Sequence, residues 1–397
     1  MTSIEPQFTS VEICAGAGGQ AVGLHRAGFK HLALIEIDPN ACQTLKDNVE
    51  GNPKWDGCKV IEADLTKFDP RRLKLKPGVL DLLAGGVPCP PFSAAGKQLG
   101  HEDERDLFPT MLDLIGFLQP KAVMIENVRA LLEPPEKFRK YREDVIEHRL
   151  KEAGYTICYW KVLEARDYGV PQLRPRAILV AMKPEYAKHF AWTEPEHTKL
   201  LTVAKALAKS MRERYQASGQ DPRWKGLYTA RWETAYKKWL KAAKTGTVAP
   251  TLVGGSKKHG GADLGPSRAK EAWRKLGVCG LGVANDPSDL QDPERDLYAE
   301  RGPKLTVLQA ATIQGFPEDW KFSGRKTAAY RQVGNAFPPP VAEAVGKQIV
   351  AALAAGKREK DAQIEKDSAL FEVSAPSAPA RTHLVNRGGD RERAGVR

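Results

Sequence analysis

The chain has 397 residues, of which 42% are hydrophobic and 28% charged, and a net charge of +12 at pH 7. This size and balance fit a globular protein of about two domains. No apolar run reaches the roughly 18 residues that a membrane helix needs, and the first ten residues lack the pattern of an export signal, so we expect neither a membrane segment nor export.

The first 184 residues alternate predicted strands and helices. The strands are expected at 8–14, 31–37, 60–63, 79–84, 122–125, 157–163 and 177–182, and the helices at 20–27, 40–49 and 107–118. Strands that alternate with helices indicate an α/β fold with a doubly wound, mostly parallel sheet.

The amino-acid composition changes near residue 185, where the sequence becomes basic, rich in Trp and Tyr, and then rich in Gly. We interpret 185–303 as a smaller, loop-rich domain inserted into an α/β domain formed by 1–184 and 304–355, which ends in a helix at 340–355. The polar tail 356–397 has few aromatic residues and is predicted to be disordered.

The positive charge is confined to one segment. Between Lys199 and Lys275 there are 18 Lys and Arg and five Asp and Glu, so the rest of the chain is close to neutral. A charge run is often only a solvated surface, but an asymmetry on this scale favours a polyanionic partner.

The six cysteines are far apart in the sequence, and none forms a C-x-x-C pair or adjoins a histidine: Cys14, Cys42, Cys58, Cys89, Cys158 and Cys279. This spacing predicts reduced thiols in a cytoplasmic protein, with no disulfide framework and no metal site. At least one thiol is therefore free to have a chemical role.

Polar residues follow several predicted strands. The loop AGAGG at 15–19 separates the first strand from a helix, Glu36 ends the second strand, and Asp64 follows the third. The glycines alone would fit a plain tight turn. With a carboxylate that can accept both hydroxyls of a ribose, they predict a nucleoside cofactor at the carboxyl edge of the sheet.

The next two strand ends also carry chemical groups. The stretch GVPCPPFS at 86–93 holds Cys89 between Pro88 and Pro90, and MIENV places Glu126 after the following strand. A free cysteine is usually a small buried hydrophobe. A thiol on a stiff loop beside a carboxyl group instead predicts a nucleophile with a general acid.

Two later stretches add polar groups. In VPQLRPR, Gln172, Arg174 and Arg176 alternate along an extended segment, so the two arginines are expected to project to one side, where their forks suit a phosphate or a base carbonyl. In YRQVGNAFPPP, Gly334 and Asn335 form what alone would be an ordinary turn before a helix.

In this order and at these spacings, the blocks resemble the cytosine carbon-5 DNA methyltransferase family of bacterial restriction-modification systems. The resemblance covers nearly all of 8–182 and 304–350, including LTVLQAATIQGFPEDW at 305–320. The segment 185–303 falls where that family carries its variable DNA-recognition domain. The implied fold is that of the S-adenosylmethionine-dependent methyltransferases.

The resemblance implies S-adenosyl-L-methionine as the methyl donor, with Glu36 on the ribose, Ile37 against the adenine and Asp64 on its amine. The implied cofactor residues are Cys14, Ala15, Gly16, Gly18, Gly19, Glu36, Ile37, Asp64, Leu65, Gly86, Pro88, Leu107, Asn335 and Ala336. It further implies Cys89 as the nucleophile, Glu126 as the partner of cytosine N3, and Arg176, with Arg174 nearby, as a donor to the base.

The implied substrate is a cytosine flipped out of double-stranded DNA. We expect a monomer in the cytoplasm, associated with the nucleoid, with a cognate restriction endonuclease acting separately. The sequence departs from the family at two positions: Cys14 replaces a phenylalanine that most members have, and Pro90 replaces a glutamine or asparagine.

Three alternatives stay open at this point. CPPF at 89–92 resembles the loop of exocyclic-amine methyltransferases, although a thiol is a poor acceptor for an amine. RNA could replace DNA as the substrate, although the related transfer-RNA enzymes have a smaller insert. A catalytically silent DNA-binding regulator is the third, against which the intact Cys89, Glu126 and Arg176 argue.

Within the basic segment, aromatic residues recur every three or four positions: Trp224, Tyr228, Trp232, Tyr236 and Trp239. This spacing predicts one helix face, which we interpret as domain core rather than as a base-stacking surface. The Gly-rich segment 253–265, which contains Ser256, Lys257, Lys258 and His259, is the better candidate for contact with a DNA groove.

Overall fold

The structure is a computed structural model, and it describes residues 8–88, 106–194, 200–224, 226–254 and 262–374. The chain divides into two compact units, Met1–Gly356 and Lys357–Arg397. Within the described ranges, no helix is both long and apolar enough to cross a lipid bilayer.

Seven strands form one sheet in the order β3-β2-β1-β4-β5-β7-β6. Their bounds are β1 Phe8–Ile13, β2 Phe29–Glu36, β3 Lys59–Glu62, β4 Leu82–Gly85, β5 Ala122–Val128, β6 Thr156–Glu164 and β7 Pro175–Met182. The first five strands pair in parallel, and β7 runs antiparallel to both of its neighbours. The predicted mostly parallel α/β sheet is therefore confirmed.

The helices are α1 Gly19–Ala27, α2 Pro39–Val49, α3 Phe108–Leu118, α4 His148–Glu152, α5 Pro184–Ala187, α6 Val203–Gln220, α7 Trp232–Thr245, α8 Ser267–Lys275, α9 Val307–Gln314, α10 Lys326–Asn335 and α11 Pro339–Ser374. Strand order reverses between β1 and β4, because the chain winds outwards from β1 to β3 and then returns. A crevice opens at such a switch point, on the side where the parallel strands end.

Alternate residues of the central strands enter two different cores. Val123 and Ile125 of β5 pack in the core that contains α3, and Met124 packs in the core that contains α1 and α11. Because both faces of the sheet are covered, its central strands are apolar throughout. This burial holds the strand ends, and the polar residues that follow them, in fixed positions.

A third core joins the basic segment to the rest of the first unit. It contains Leu207 of α6, Trp239 of α7 and Trp273 of α8, together with α9, α10 and residues of the AGAGG loop. The segment predicted as loop-rich thus contains three helices whose apolar residues share one core with the sheet domain.

The aromatic residues of this segment are core residues, as the helical spacing indicates. Tyr228 and Trp239 are buried, and Trp232 and Tyr236 are partly buried against the third core. The expectation of one continuous helix is wrong, because Trp224 lies in a short 3-10 helix and α7 begins only at Trp232.

Two boundaries near the C-terminus differ from the predictions. Gly334 and Asn335 are the last residues of α10 and not a loop. The helix expected to end at 355 continues to Ser374, so 357–374 is helical where disorder was predicted, and 375–397 lies outside the described residues.

Candidate active site

The carboxyl ends of β1 to β5 surround a cavity of about 290 Å³. All of the predicted cofactor residues except Gly18 line it, and so does Glu126. Residues from five strand ends and from α10 therefore meet in one place, although they are up to about 320 positions apart in the sequence.

The chain turns sharply at the AGAGG loop because Cys14, just before the loop, and two of its glycines adopt left-handed backbone angles, with φ of 51° at Cys14, 55° at Gly16 and 86° at Gly18. Gly18 is the N-cap of α1 and does not line the cavity. A Cβ at Gly18 would lie 2.8 Å from the ring of Trp320, so this glycine serves packing.

Trp320 supports the loop from outside the cavity. Its indole nitrogen donates to the carbonyl of Ala17 at 3.0 Å. The stretch 305–320 was identified only by resemblance, and the sequence reasoning assigned Trp320 no role. No local signal marks this contact, since the two residues are 303 positions apart.

Glu36 connects the first two strand ends. Its Oε2 accepts a hydrogen bond from the Gly16 backbone at 2.6 Å, and its Oε1 accepts from the backbones of Ile37 and Asp38 at 2.8 and 2.9 Å. The carboxylate is therefore held by three main-chain donors. Beside it, the Ile37 side chain is 60% exposed at the cavity wall.

Asp64 forms the next part of the wall. Its Oδ1 accepts hydrogen bonds from the backbone and hydroxyl of Thr66, at 3.0 and 2.7 Å. These bonds lower the pKa of Asp64, because they favour the ionised carboxylate. The ionised form of this carboxyl group on the cavity wall is therefore favoured.

Glu126 lines the cavity and forms an ion pair with Arg176, which is not a lining residue. The Nε of Arg176 is 2.7 Å from Oε1 of Glu126, and both side chains are mostly buried. A Cβ at Gly86 would lie 2.8 Å from Oε2 of Glu126, so only glycine fits there without movement of the carboxylate. Asn127 donates to the carbonyl of Val87 at 3.1 Å and holds the same loop.

Cys89 lies outside the described residues. Pro88, the last described residue before it, lines the cavity, and its carbonyl accepts a hydrogen bond from Leu107 at 3.4 Å. Pro88 and Leu107, which flank the segment 89–106, are therefore adjacent at the cavity.

Four other cysteines have raised pKa values. Burial raises the pKa of Cys42 and Cys58 to about 12 and that of Cys158 to about 11, and it raises the pKa of Cys14 further. Since the thiolate is the reactive form, these four thiols are poorly suited to act as nucleophiles at neutral pH.

The two arginines of VPQLRPR separate in the structure. Neither arginine lines the cavity: Arg176 pairs with the lining residue Glu126, whereas Arg174 is 1% exposed. The guanidinium of Arg174 donates to the carbonyl of Leu252 at 2.6 Å and to that of Gly334 at 2.9 Å. The expected common projection of both arginines is therefore wrong, because main-chain carbonyls occupy Arg174.

Gln172 extends this connection. Its amide oxygen accepts from the backbone of Leu252 at 3.1 Å, and its nitrogen donates to Ile313 at 3.2 Å and to Gln314. Together, Gln172 and Arg174 tie the residues before Gly254 to α9 and α10. These side chains support the site rather than form its surface.

Five further polar residues line the cavity and were assigned no role by the sequence analysis: Glu12, Gln20, Asp38, Arg331 and Gln332. Gln20 directly follows AGAGG, and Arg331 lies one helical turn before Asn335. The helical spacing of Arg331 was a usable signal, but it was hidden by the interpretation of this stretch as a loop.

Comparison with known proteins agrees with this geometry. The sequence profile of the C-5 cytosine-specific DNA methylases matches residues 8–351. The chain is 46% identical over 376 residues to the Type II methyltransferase M.NaeI of Lentzea aerocolonigenes, covering 94% of this chain and 82% of that protein. It is 49% identical over 352 residues to the Type II methyltransferase M.NgoMIV of Neisseria gonorrhoeae, covering 87% of this chain and 98% of that protein.

A solved structure shows the same fold. A prophage-encoded DNA modification methyltransferase from E. coli aligns over 88% of this chain and all of its own, with a TM-score of 0.54 and 20% identity. From the profile match and the two close relatives, the chain belongs to the C-5 cytosine-specific DNA methylases and is a DNA (cytosine-5-)-methyltransferase.

Proposed function

We propose that this protein transfers a methyl group from S-adenosyl-L-methionine to carbon 5 of a cytosine flipped out of a specific double-stranded DNA sequence, through a covalent bond between Cys89 and carbon 6. The observation that carries the proposal is Glu126, which lines the cavity together with Pro88 and forms a mostly buried ion pair with Arg176 at 2.7 Å. This arrangement offers a carboxyl group and a cation to the edge of a pyrimidine that carries N3 and O2, beside the nucleophile's loop.

The cavity fits the methyl donor in size and chemistry. Its volume of about 290 Å³ is close to the lower end of the usual range for ligand sites. Glu36 would accept from the ribose hydroxyls, Asp64 from the adenine amine, and the exposed Ile37 would cover one face of the adenine. When bound, the donor supplies an electrophilic methyl group on a cationic sulfur.

The target ring needs activation, because carbon 5 of cytosine is a weak nucleophile. The Cys89 thiolate adds to carbon 6, forming the carbon–sulfur bond, and the electron pair of the 5,6 double bond becomes available at carbon 5. Glu126 holds a proton at N3, and Arg176 donates to O2, so the charge that develops on the ring is stabilised.

Carbon 5 would then take the methyl group of the bound donor, whose sulfur would keep the electron pair of the broken carbon–sulfur bond and leave as a neutral thioether. Loss of the proton on carbon 5 returns an electron pair to the ring and expels the Cys89 thiolate, which restores the aromatic system. Arg176 also keeps the Glu126 carboxyl group oriented, because the ion pair fixes one of its two oxygens. We assign Arg174 a supporting role, since its guanidinium is bound to main-chain carbonyls.

The basic segment is proposed to bind the DNA backbone. Flipping a base costs a few kcal/mol, and phosphate contacts from Lys and Arg offset that cost. Exposed cations stand on α6 and α7: Lys205, Lys209, Arg212, Lys238, Lys241 and Lys244. Because the two close relatives are named Type II methyltransferases, we propose a restriction-modification context with a separately acting endonuclease.

A Cys89→Ser variant tests the nucleophile. We expect it to bind its DNA duplex but neither to methylate it nor to form a covalent complex with a duplex that contains 5-fluorocytosine. A Cys158→Ser variant is the matched control. Cys158 is only partly exposed, and burial raises the pKa of its thiol. The control should retain both methylation and formation of the covalent complex. Methylation near the wild-type rate in Cys89→Ser would contradict the assignment.

Bisulfite sequencing of DNA from cells that express the protein tests the substrate and the product together. We expect 5-methylcytosine at one short sequence throughout the genome and none in cells that express Cys89→Ser. An unchanged methylome in cells that contain active protein would contradict double-stranded DNA as the substrate.

A further inference from the structure

One leucine of VPQLRPR is exposed between two buried side chains. Leu173 is 38% exposed, whereas Gln172 and Arg174 on either side of it are buried. This alternation is that of an extended chain, in which successive side chains point to opposite faces. Because hydrogen bonds hold both neighbours inside the protein, Leu173 cannot turn inward without breaking them.

Every main-chain polar group from Leu173 to Pro175 already has a partner within the protein. The N–H and the carbonyl of Leu173 are both hydrogen-bonded, as are those of Arg174 and the carbonyl of Pro175, and a proline has no N–H. The partners are, in the same order, Ala249, Thr251, Glu164, Ala165 and Arg176. The segment therefore presents only apolar groups outward, the side chains of Leu173 and of the half-buried Pro175.

This apolar pair lies at the carboxyl edge of the sheet, next to the ion pair of the site. Pro175 begins β7, and Arg176 pairs with Val128, the last residue of β5. After Arg176 the strand is buried as far as Met182. Leu173 lies three residues before Arg176, which is about 10 Å along an extended backbone.

The chemistry proposed for Arg176 indicates what meets this surface. The carbon that carries O2 of cytosine is bonded to N1, the ring atom to which the sugar is attached. An arginine that donates to O2 therefore holds the base by the edge next to its sugar. Because the residues after Arg176 are buried, the exposed groups of this segment that remain for the sugar are Leu173 and Pro175.

We propose that Leu173, with Pro175, packs on the deoxyribose of the flipped cytidine and excludes a 2′-hydroxyl, so that the site accepts a deoxyribonucleotide and rejects a ribonucleotide. This inference rests on the proposed function, because it names the sugar that carries the methylated base. A 2′-hydroxyl is both a donor and an acceptor. Against two apolar side chains and a hydrogen-bonded main chain it would lose water without gaining a partner, which disfavours the ribonucleotide about 10-fold or more.

The experiment uses three duplexes that contain the sequence identified by bisulfite sequencing and differ only at the target nucleotide: deoxycytidine, ribocytidine or 2′-fluoro-2′-deoxycytidine. The fluorinated sugar favours the same ring pucker as ribose but has no hydroxyl, so it separates polarity from shape. Single-turnover methylation by the full chain, with saturating donor, gives three rates. We expect the wild-type protein to methylate deoxycytidine at least ten times faster than ribocytidine, and the fluorinated nucleotide within about 3-fold of deoxycytidine.

Leu173→Asn is the test variant, because asparagine has a similar size and offers a donor and an acceptor to a hydroxyl. It should lower the ratio of the deoxycytidine rate to the ribocytidine rate to less than about 3, mainly by raising the ribocytidine rate. Leu173→Met stays apolar and should keep the wild-type ratio. Val79→Asn is the matched control, since Val79 is 55% exposed before β4, at the opposite edge of the sheet.

Each contrary outcome overturns the inference. Equal wild-type rates on deoxycytidine and ribocytidine would mean that the sugar is not recognised. An unchanged ratio in Leu173→Asn, whatever the separate rates, would mean that this side chain only supports the fold. A fluorinated target as slow as ribocytidine would mean that pucker, and not the hydroxyl, is rejected. If the wild-type protein methylates none of the three duplexes, the proposed function itself fails.

Discussion

The cavity and the basic segment use their polar residues in opposite ways. At the cavity, Glu36 is held by three main-chain donors and Glu126 by an arginine 2.7 Å away, so the charges have fixed positions. On α6 and α7 the cations are exposed at the helix surface. Bond-making chemistry needs charges placed in advance, whereas phosphate binding needs mainly enough of them.

Most charged residues of the basic segment are held less firmly than those of the cavity. Three ion pairs join residues that are two to four positions apart: Asp221 with Arg223, Glu233 with Lys237, and Glu271 with Arg274. Such exposed pairs contribute little to stability. One cation is different, since Arg214 is buried and donates to Lys304 and Gln309, and burial lowers its pKa to about 10.

The two regions meet at Gly254. A Cβ there would collide with the side-chain oxygen of Asn335, and Arg174 binds the neighbouring carbonyls of Leu252 and Gly334. The Gly-rich segment therefore begins against the helix that lines the cavity. If the exact position of a charge matters only in the cavity, substitutions there should lower the rate of methylation, whereas substitutions in the basic segment should lower the affinity for DNA. The two effects should also differ in size.

The largest effect is expected at the ion pair. Arg176→Met should lower the rate of methylation about 100-fold or more, because an electrostatic contact to the developing charge is lost, while DNA and donor affinities change by less than about 3-fold. Single-turnover kinetics with separate binding titrations measures this. Arg166→Met is the control, because Arg166 pairs with Asp167 in an exposed position, and it should keep the wild-type rate.

If Arg176→Met lost as much DNA affinity as methylation rate, the contrast between the fixed charges of the cavity and the exposed cations of the basic segment would be contradicted. This result would mean that this arginine acts mainly in holding the DNA.

A smaller effect is expected from the Gly-rich segment. Replacing Lys257 and Lys258 with serine should weaken DNA binding about 10-fold and reduce the slope of log affinity against log salt by about 1.8, which corresponds to two phosphate contacts. The matched variant replaces Lys241 and Lys244, which are exposed on α7, with serine. Fluorescence anisotropy over a series of salt concentrations measures both.

Equal effects of the two lysine pairs would mean that the segment's total charge, and not its position beside Gly254, determines DNA binding. A weaker effect of the Lys241 and Lys244 substitutions on DNA affinity would instead indicate that Lys257 and Lys258 bind DNA phosphates at fixed positions.

The smallest effect concerns Glu12, whose carboxyl group is buried. Burial and the nearby Glu36 raise its pKa well above the ordinary value, so the folded protein keeps this proton when the unfolded chain has lost it. Stability contributed by the neutral form is complete below about pH 4.3 and falls as the pH rises towards the folded-state pKa.

Glu12→Gln should therefore raise the melting temperature of the ligand-free protein by about 2 °C at pH 8, with a smaller gain at pH 5. Thermal unfolding at both pH values measures this. Glu62→Gln, at the exposed end of β3, should change neither value. A lower melting temperature of Glu12→Gln at pH 8 would show that the ionised carboxylate stabilises the fold.

Much of the cavity could be predicted because its residues obey local rules. Glu36, Asp64 and Glu126 lie at or near the ends of apolar strands, and parallel strands end on one side of a sheet. For the basic segment, the sequence predicted the excess of positive charge but not the arrangement of its helices. These helices share a core with α9 and α10, which lie far along the chain. The role of Cys89 stays a prediction.

By itself, the sequence determined the mostly parallel sheet, the order of its polar strand ends and the confinement of positive charge, because each follows from the pattern of neighbouring residues. Only the tertiary structure decided which arginine of VPQLRPR faces Glu126, which glycine serves packing, and which main-chain groups beside that arginine are already hydrogen-bonded. Those outcomes depend on contacts such as Arg174 with Gly334, 160 positions apart, and Trp320 with Ala17, 303 apart. Contacts over such distances are set by how the layers pack, which no local pattern encodes.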